Sequence, residues 1–451
     1  MCSQSNEYKA TNSVSRRQFL NSAVAAGAFT IIPRHVLGGP AHIPPSEKLN
    51  IAGIGIGGRG HGNLDACASE NIVALCDVDW GLVAVKQVFN RWPNARRWKD
   101  YRKMLDEQKD IDAVIIATPD HTHACITMAA IRHGKHVYCE KPLTHTVYEA
   151  RQIAKAAREA GVATQLGNQG QADESARVLC EMIWDGAIGN VREIHGWSNR
   201  YPAISPRAIP RPTDKPPVPA DLEWDLWLGP APERPYHPTY HPFAWRGWWD
   251  FGTGVLGDIG CHNFSAIYKA LDLGAPVSIE ASSTHHQCPP EIRNETAPTA
   301  SVVHFDFAAK GDRPAVSATW YDGGIKPRRP EGLEEGREVG NNDGMMYIGD
   351  KGAIVDHRIV PERRMKEYGV PPKILPRSPG HHREWIDACK GGPAAGANFD
   401  HAGPLTEMVL LGNIAIRTGR KLYWDAENFK ITNVPEANNL LHYEYRKGWT
   451  L

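Results

Sequence analysis

The stretch Leu49-Asn-Ile-Ala-Gly-Ile-Gly-Ile-Gly-Gly-Arg-Gly60 constrains this chain more than any other, because an apolar run breaks there into glycines. Leu49 to Ile54 reads as a buried parallel strand. Gly53-x-Gly55-x-x-Gly58 then turns it into a helix from about His61, so that backbone N–H groups meet a pyrophosphate at the helix N-terminus. The next apolar run, Ile72 to Cys76, ends on Asp77, 22 residues after Gly55. A dinucleotide fold needs a carboxylate at that place to accept hydrogen bonds from the adenosine ribose. A carboxylate there repels a 2′-phosphate, and no Lys or Arg follows in Val78-Asp79-Trp80, so the reading is NAD rather than NADP. Arg59, within the turn, is placed to contact phosphate.

The strands Leu49–Ile54, Ile72–Cys76, Ala113–Ala117 and His136–Cys139 alternate with helical segments. That alternation predicts an α/β fold with a doubly wound parallel sheet, whose ligands collect at the carboxyl ends of the strands. The loops Thr118-Pro-Asp-His-Thr-His123 and Glu140-Lys-Pro-Leu143 therefore open onto the cofactor. A short strand, Ala163–Leu166, ends on Gly167-Asn168-Gln169 and puts Asn168 at the far side of the nicotinamide.

Beyond Gln169 a helix, Glu174–Asp185, and a strand, Val191–Trp197, lead into about 50 residues, Tyr201 to Asp250, dense in Pro, Trp, Tyr and His. A loop of that length is usually functional or disordered, and its aromatic content argues against disorder. The later strands Val277–Ser283, Ser301–Phe307, Ala315–Trp320 and Met345–Ile348 have few helices between them, which predicts an α+β second domain with an open, largely antiparallel sheet. The helices Asp258–Leu271, His382–Cys389 and Leu405–Thr418 would cover one face. The organisation expected is a signal and arm over 1–45, a Rossmann domain over 46–168 and a substrate-binding and oligomerisation domain over 169–451.

The N-terminal segment carries Ser15-Arg16-Arg17-Gln18-Phe19-Leu20 before a mildly apolar, small-residue run from Ser22 to Ile32. This is the pattern of a twin-arginine export signal, too short to span a bilayer comfortably. It predicts an exported, periplasmic protein that meets the twin-arginine translocation machinery. Lys and Arg number 51 and so do Asp and Glu, which leaves no electrostatic footprint for nucleic acid. The 9 cysteines form no CxxC pair and read as buried free thiols.

With the glycine turn, Ala117-Thr-Pro-Asp-His-Thr-His123, Glu140-Lys-Pro142 and Gly257-Asp-Ile-Gly-Cys-His262 in view, the chain resembles the glucose-fructose oxidoreductase / inositol dehydrogenase (Gfo/Idh/MocA) family from about Lys48 onward. The resemblance implies a Rossmann domain followed by an α/β domain, acting on sugars or cyclitols with a tightly held nicotinamide cofactor, and a homo-oligomer is expected. It implies that Lys141, Asp258 and His262 are the catalytic set, that a cis bond precedes Pro142, and that Thr118, Pro119 and His121 line the cofactor. The chain departs from the family in the Tyr201–Asp250 insertion and in the segment Lys326–Asn342.

Oxidation of a secondary alcohol needs a base for the hydroxyl proton while hydride leaves the carbon. His262 is competent as that base, with an ordinary pKa near 6.5. Asp258, four residues earlier in a predicted helix, shares a face with His262 and either flanks the hydroxyl or orients the ring. Lys141 supplies positive charge to the developing alkoxide. In the insertion, Trp224, Trp227, Tyr236, Tyr240, Trp245, Trp248 and Trp249 suit stacking on sugar rings, Trp245, Trp248 and Trp249 above all, while Arg246 donates to hydroxyls. The same residues suit an aromatic brace or a subunit contact equally well. His382 is placed to reach the substrate from the start of its helix. The His pairs at i+1 and i+2 spacing do not put two rings on one helical face, so no metal is expected. Two chemistries remain open: a net NAD-dependent oxidoreductase, and a glycosidase or lyase in which NAD oxidises the sugar transiently and hydride returns.

Overall fold

The computed structural model describes residues 47–200, 207–340 and 342–451. The twin-arginine pattern and the arm lie outside them. Residues 49–451 form one compact unit holding two sheets.

The first sheet has six parallel strands: β1 (Asn50–Ile54), β2 (Asn71–Cys76), β3 (Arg96–Trp98), β4 (Ala113–Ile116), β5 (His136–Cys139) and β6 (Thr164–Leu166). Their spatial order, β3-β2-β1-β4-β5-β6, is that of the doubly wound dinucleotide-binding fold. Connecting helices α1 (Arg59–Ala66), α2 (Val83–Arg91), α3 (Tyr101–Glu107), α4 (Asp120–Arg132) and α5 (Val147–Ala160) cover both faces. This explains why β4, Ala-Val-Ile-Ile, is apolar at every position. Helix α5 is delimited by chemistry legible in the sequence: a capping box between Thr146 and Glu149 opens it, and Gly161 at φ 64° closes it. Strand β3 has no apolar alternation in Arg-Arg-Trp and escapes a pattern-based reading.

The second sheet has nine strands in the order β13-β12-β11-β7-β10-β9-β8-β14-β15. Its middle members are β7 (Val191–Ser198), β8 (Ser278–Ser283), β9 (Ser301–Phe307), β10 (Val316–Asp322) and β11 (Gly344–Gly349). The edges are β12 (Gly352–Val355), β13 (Arg358–Val360), β14 (Leu422–Asp425) and β15 (Lys430–Ile431). Every pairing is antiparallel except β7 with β10, as the expectation of a largely antiparallel sheet requires.

The other helices are α6 (Glu174–Trp184), α7 (Trp224–Leu228), α8 (Cys261–Ala270), α9 (Pro290–Arg293), α10 (Glu362–Tyr368), α11 (His381–Cys389) and α12 (Phe399–Thr418). Helices α6, α8 and α12 bury one face of the second sheet. Helix α12 starts six residues before the expected Leu405: Asn398 caps it, its side chain accepting from the Asp400 N–H, and the helix runs on through Pro404 although that residue has no N–H to give the Asp400 carbonyl. Trp385 and Ile386 of α11, with Ala397, Phe399 and Ala402, return to the first sheet and complete its cores. Leu333 and Val339, within residues 326–340, are buried in one cluster with Trp197, whose Nε1 donates to Gly340 O (3.1 Å).

Candidate active site

A cavity of about 1060 Å³ runs across the carboxyl ends of the first sheet, from the turn after β2 to the second domain. At its β1 wall the glycines act in a different register from the one expected. Gly55 has φ +77°, and a Cβ on it would lie 2.8 Å from the Ala117 carbonyl. A Cβ on Gly60 would collide with the Gly55 carbonyl oxygen. Gly57 and Gly58 face the cavity. The working fingerprint is therefore Gly55-x-Gly57-x-x-Gly60: a tight turn, a close approach to phosphate, and packing of α1 on β1. Gly53 is interior to β1 against Leu64 and is not part of the cradle. Helix α1 begins accordingly at Arg59, not His61.

Asp77 follows β2 on the cavity wall. Its Oδ2 accepts from the Ile56 N–H (2.9 Å) and its Oδ1 from the Asp79 N–H (3.0 Å), so the carboxylate is locked toward the glycine turn. Burial pushes its pKa up, against the pull of those two N–H groups. Lys99 reaches the same wall, but its Nζ donates to Asp221 O (2.8 Å) and Glu223 Oε1 (3.1 Å). That occupancy leaves the carboxylate as the charge facing an adenosine ribose, and the cradle fits NAD.

Thr118 and Pro119 line the cavity after β4, as does Asp120. Asp120 Oδ2 accepts from Thr253 Oγ1 (2.7 Å), and burial raises its pKa to about 6. His121 does not reach the cavity. Its ring is fully buried with Nδ1 3.2 Å from Phe251 O and Nε2 3.0 Å from Trp227 O, pinning the insertion to α4. The segment's other histidine, His123, spans Pro142 O and Thr118 O, both at 2.8 Å, and so ties the two cofactor loops together.

After β5, Glu140 and Lys141 line the cavity, and the Lys141–Pro142 bond is cis. Glu140 Oε1 accepts from Asn63 Nδ2 (2.9 Å) and Gln169 Nε2 (3.2 Å), and Arg59 Nε lies 3.4 Å away. His382 belongs to this network rather than to the substrate: its Nε2 donates to Asn63 Oδ1 (3.0 Å) and its ring stacks on Tyr138 at 5.0 Å. Asn168 is likewise a brace, with Nδ2 donating to Cys261 O (2.8 Å) just before His262. Gln169, its neighbour, is the residue that reaches the cavity.

The second domain contributes Asp258, from a π-helical turn at Leu256–Gly260, and His262 at the start of α8. Wide turns of this kind recur at functional sites. Lys141 Nζ donates to Asp258 Oδ1, and Arg246 Nε lies 3.5 Å from the same oxygen. Burial opposes the Asp258 charge, yet Lys141 and Arg246 outweigh it and hold the pKa down at about 2. Burial first, and the Lys141 charge second, lower His262 to about 3. Among the described residues nothing hydrogen-bonds the His262 ring. At neutral pH the site thus presents an ammonium, a carboxylate and an unprotonated imidazole to one space, a set able to take a proton and stabilise an alkoxide.

Of the expected aromatic contacts, Trp245 and Arg246 line the cavity, the guanidinium lying 4.2 Å from the Trp245 ring centre. Trp248 and Trp249 do not. Trp248 is fully buried with Nε1 donating to Thr239 O (3.0 Å), and Trp249 packs in the second core, donating to Arg293 O (3.0 Å). Trp227, another aromatic residue of the insertion expected to stack, also lines the cavity; sequence reasoning missed His241, Asn263 and Trp449, all on the cavity wall. Only their aromatic or amide character could have hinted at this. Among the described residues no group of three or more His, Cys, Asp or Glu could hold a metal ion.

A sheet of this strand order with its glycine turn and ribose acid, faced by Lys141, Asp258 and His262, defines a dinucleotide-binding protein of two-domain type. Residues 48–168 match the family model described as the oxidoreductase family, NAD-binding Rossmann fold, and residues 210–293 match the C-terminal alpha/beta domain of the same family. Both matches are to the Gfo/Idh/MocA family, and together they take in a little under half of the chain. Inositol 2-dehydrogenase of Rhodococcus jostii is 34% identical over 166 residues, 36% of this chain and 44% of that protein. Inositol 2-dehydrogenase of Salmonella typhimurium is 29% identical over 153 residues, 33% of this chain and 45% of the relative. The matches thus span less than half of these relatives. The solved WlbA dehydrogenase of Bordetella pertussis, in complex with NADH and UDP-GlcNAcA, superposes with a TM-score of 0.56 at 17% identity, over 84% of this chain and 99% of that one, a likeness of fold.

Proposed function

We propose that the protein is an NAD-dependent oxidoreductase acting on a secondary hydroxyl of a sugar, glycoside or cyclitol. The observation that carries this reading is the convergence of Lys141, Asp258 and His262 at one end of a cavity whose other end bears Asp77. NAD, when bound, supplies the hydride acceptor; Gly57, Gly58, Asp77, Thr118 and Glu140 are the residues that would hold it. His262 takes the hydroxyl proton on a ring nitrogen, being neutral at physiological pH. Lys141, ion-paired with Asp258, stabilises the alkoxide. Trp245 offers a flat apolar face to a ring, and Arg246 offers donors to its hydroxyls. The names of the inositol dehydrogenases support the substrate class.

The cofactor is held through many turnovers and hydride returns to a sugar. Ser15-Arg16-Arg17 supports this, since a twin-arginine signal would carry a folded, loaded protein to a compartment with little free NAD. The test is turnover by dialysed protein, without added NAD or acceptor, on a panel of glycosides, aldoses and cyclitols, with products and absorbance at 340 nm followed together. Many equivalents of product per site are expected. Product that stops at about one equivalent and resumes on adding NAD would replace the self-contained cycle with an ordinary dehydrogenase, and cleaved glycosides would assign transient oxidation with elimination.

A further inference from the structure

Asn263 follows His262 in the first turn of α8 and lies on the cavity wall. Its Nδ2 donates to two backbone carbonyls, Trp197 O near the end of β7 (3.1 Å) and Gly344 O at the start of β11 (3.2 Å). An amide nitrogen only donates and a carbonyl oxygen only accepts, so these two bonds fix which way the side chain is turned; a half-turn would set Oδ1 against both carbonyls. Both Nδ2 hydrogens are spent. Among the described residues nothing donates to Oδ1, and that oxygen is not enclosed: it keeps accessible surface on a side chain that borders the cavity. The neighbouring wall belongs to the chemistry end. Asp343, the residue before Gly344, accepts from Ser198 Oγ (2.6 Å) and from Arg200 Nε (2.8 Å), and both Asp343 and Arg200 line the cavity. Burial, then Lys141 and also Arg200 lower the pKa of His262, which sets this wall beside the proposed base. A proton passing to His262 and a hydride passing to NAD leave Oδ1 without a role in the reaction itself.

We propose that Asn263 is a specificity-determining residue whose Oδ1 accepts a hydrogen bond from a second hydroxyl of the substrate ring, distinct from the one oxidised, so that the substrate is a polyol bearing a donor at that position. The proposal rests on the oxidoreductase reading above and deepens it. Successive residues of a helix point about 100° apart, so His262 and Asn263 meet different atoms of one ring rather than a single hydroxyl. An oxygen that can only accept tells a hydroxyl or an amide N–H from an ether or a fluorine, which offer only lone pairs. A ring without the donor covers Oδ1 and leaves it unpaired, and that desolvation is what rejects it. Arg200 and Arg246, on the same cavity, supply the opposite polarity, donors for the remaining hydroxyl oxygens.

Kinetics of the full-length protein with NAD supplied test this on D-glucose, D-galactose, their methyl glycosides and myo-inositol, followed by absorbance at 340 nm and by product analysis. Each compound that turns over is compared with its monodeoxy, monodeoxyfluoro and mono-O-methyl derivatives at every position other than the oxidised one. At one position all three derivatives are expected to lose about ten- to a hundredfold in kcat/KM, and an acetamido group there to lose less. In Asn263→Ala the same derivatives and their parent are expected to turn over alike, with NAD affinity unchanged. Asn263→Ser, a polar shortening that withdraws the acceptor and keeps a hydroxyl beside the two carbonyls, is expected to give the same levelling. Where neither variant folds, the fluoro derivative decides in the wild type, since it keeps an acceptor and lacks only the donor. Wild type that takes the fluoro or methyl-ether derivative as well as the hydroxyl at every position, or a discrimination that survives in both variants, overturns the role of Asn263 and leaves the oxidoreductase reading standing. Protein that loads NAD yet turns over none of the parent compounds overturns both.

Discussion

Lys141 and His262 are coupled by charge as well as by position. With its pKa lowered to about 3, His262 stays neutral in the free protein well below the ordinary histidine range. The acid limb of kcat/KM due to this group is therefore expected near pH 3 rather than 6.5, leaving activity flat in this respect between pH 7.5 and 5 apart from the titration of Asp120 at about 6. Removing the ammonium in Lys141→Ala lets His262 protonate more easily, so the residual activity should show that limb displaced upward, and an unmoved limb in a pH profile would break the coupling. Lys141→Ala and His262→Ala should each lower turnover about 100- to 10,000-fold with little change in thermal stability. At the glycine turn, Gly60→Ala forces a Cβ into the Gly55 carbonyl, whereas Gly58→Ala meets no protein atom within 4 Å. Circular dichroism melting should accordingly show a large loss for the first and a small one for the second, while NAD affinity measured by calorimetry falls for both.

The insertion places its tryptophans in two settings that composition does not separate. Trp245 faces the cavity beside Arg246, and Trp248 is fully enclosed among Tyr240, Phe251 and Trp224. Trp248→Ala should cost about 3–5 kcal/mol, read in a denaturant titration, since it opens a large hole in a satellite core. Trp245→Ala should leave that titration within about 1 kcal/mol of wild type and raise KM for the sugar. Equal stability losses would make Trp245 a brace too. What was legible in this element was its composition and its length. Its destination was not, because Leu222, Glu223 and His241 meet β2 only through tertiary contacts such as Asp79 with His241, separated by 162 residues. The same limit explains His121 and His382: each occupies the right loop or helix, but whether a ring turns into the cavity or onto Phe251, Trp227 or Tyr138 is decided by packing. The glycine register failed for a different reason, since Gly53, Gly55, Gly57, Gly58 and Gly60 satisfy two overlapping spacings and only backbone geometry chooses between them.

Across the whole molecule the parallel sheet was readable because both faces are buried and its strands are continuous apolar runs, while the short edge strands β12 to β15 carry too few residues to show a period. Burial on this scale also sets how the protein answers acid. His121 and His262 are lowered to about 3, and His145, His285, His381 and His401 to about 4, with burial the leading cause for each. Each of these folded-state values lies below the ordinary 6.5, so between pH 6.5 and 4 the unfolded chain binds more protons than the folded one, and stability falls with pH. His123 is raised to about 10; its contribution is complete below 6.5 and adds no slope in that window. Asp120, raised to about 6, binds its proton earlier in the folded state and offsets one of the lowered histidines as pH falls from 6 toward 4, and Asp77, Glu149, Asp322 and Asp356, also pushed up by burial, act in the same direction. Asp258, held down near 2, matters only below the ordinary carboxylate range. The histidines outnumber the offset, so the denaturation midpoint in guanidinium should fall steadily from pH 7 to pH 4.5, with net proton uptake on unfolding. His145→Gln or His401→Gln should flatten that slope by up to one proton each, and a midpoint independent of pH over this range would show that these rings are already charged in the folded protein.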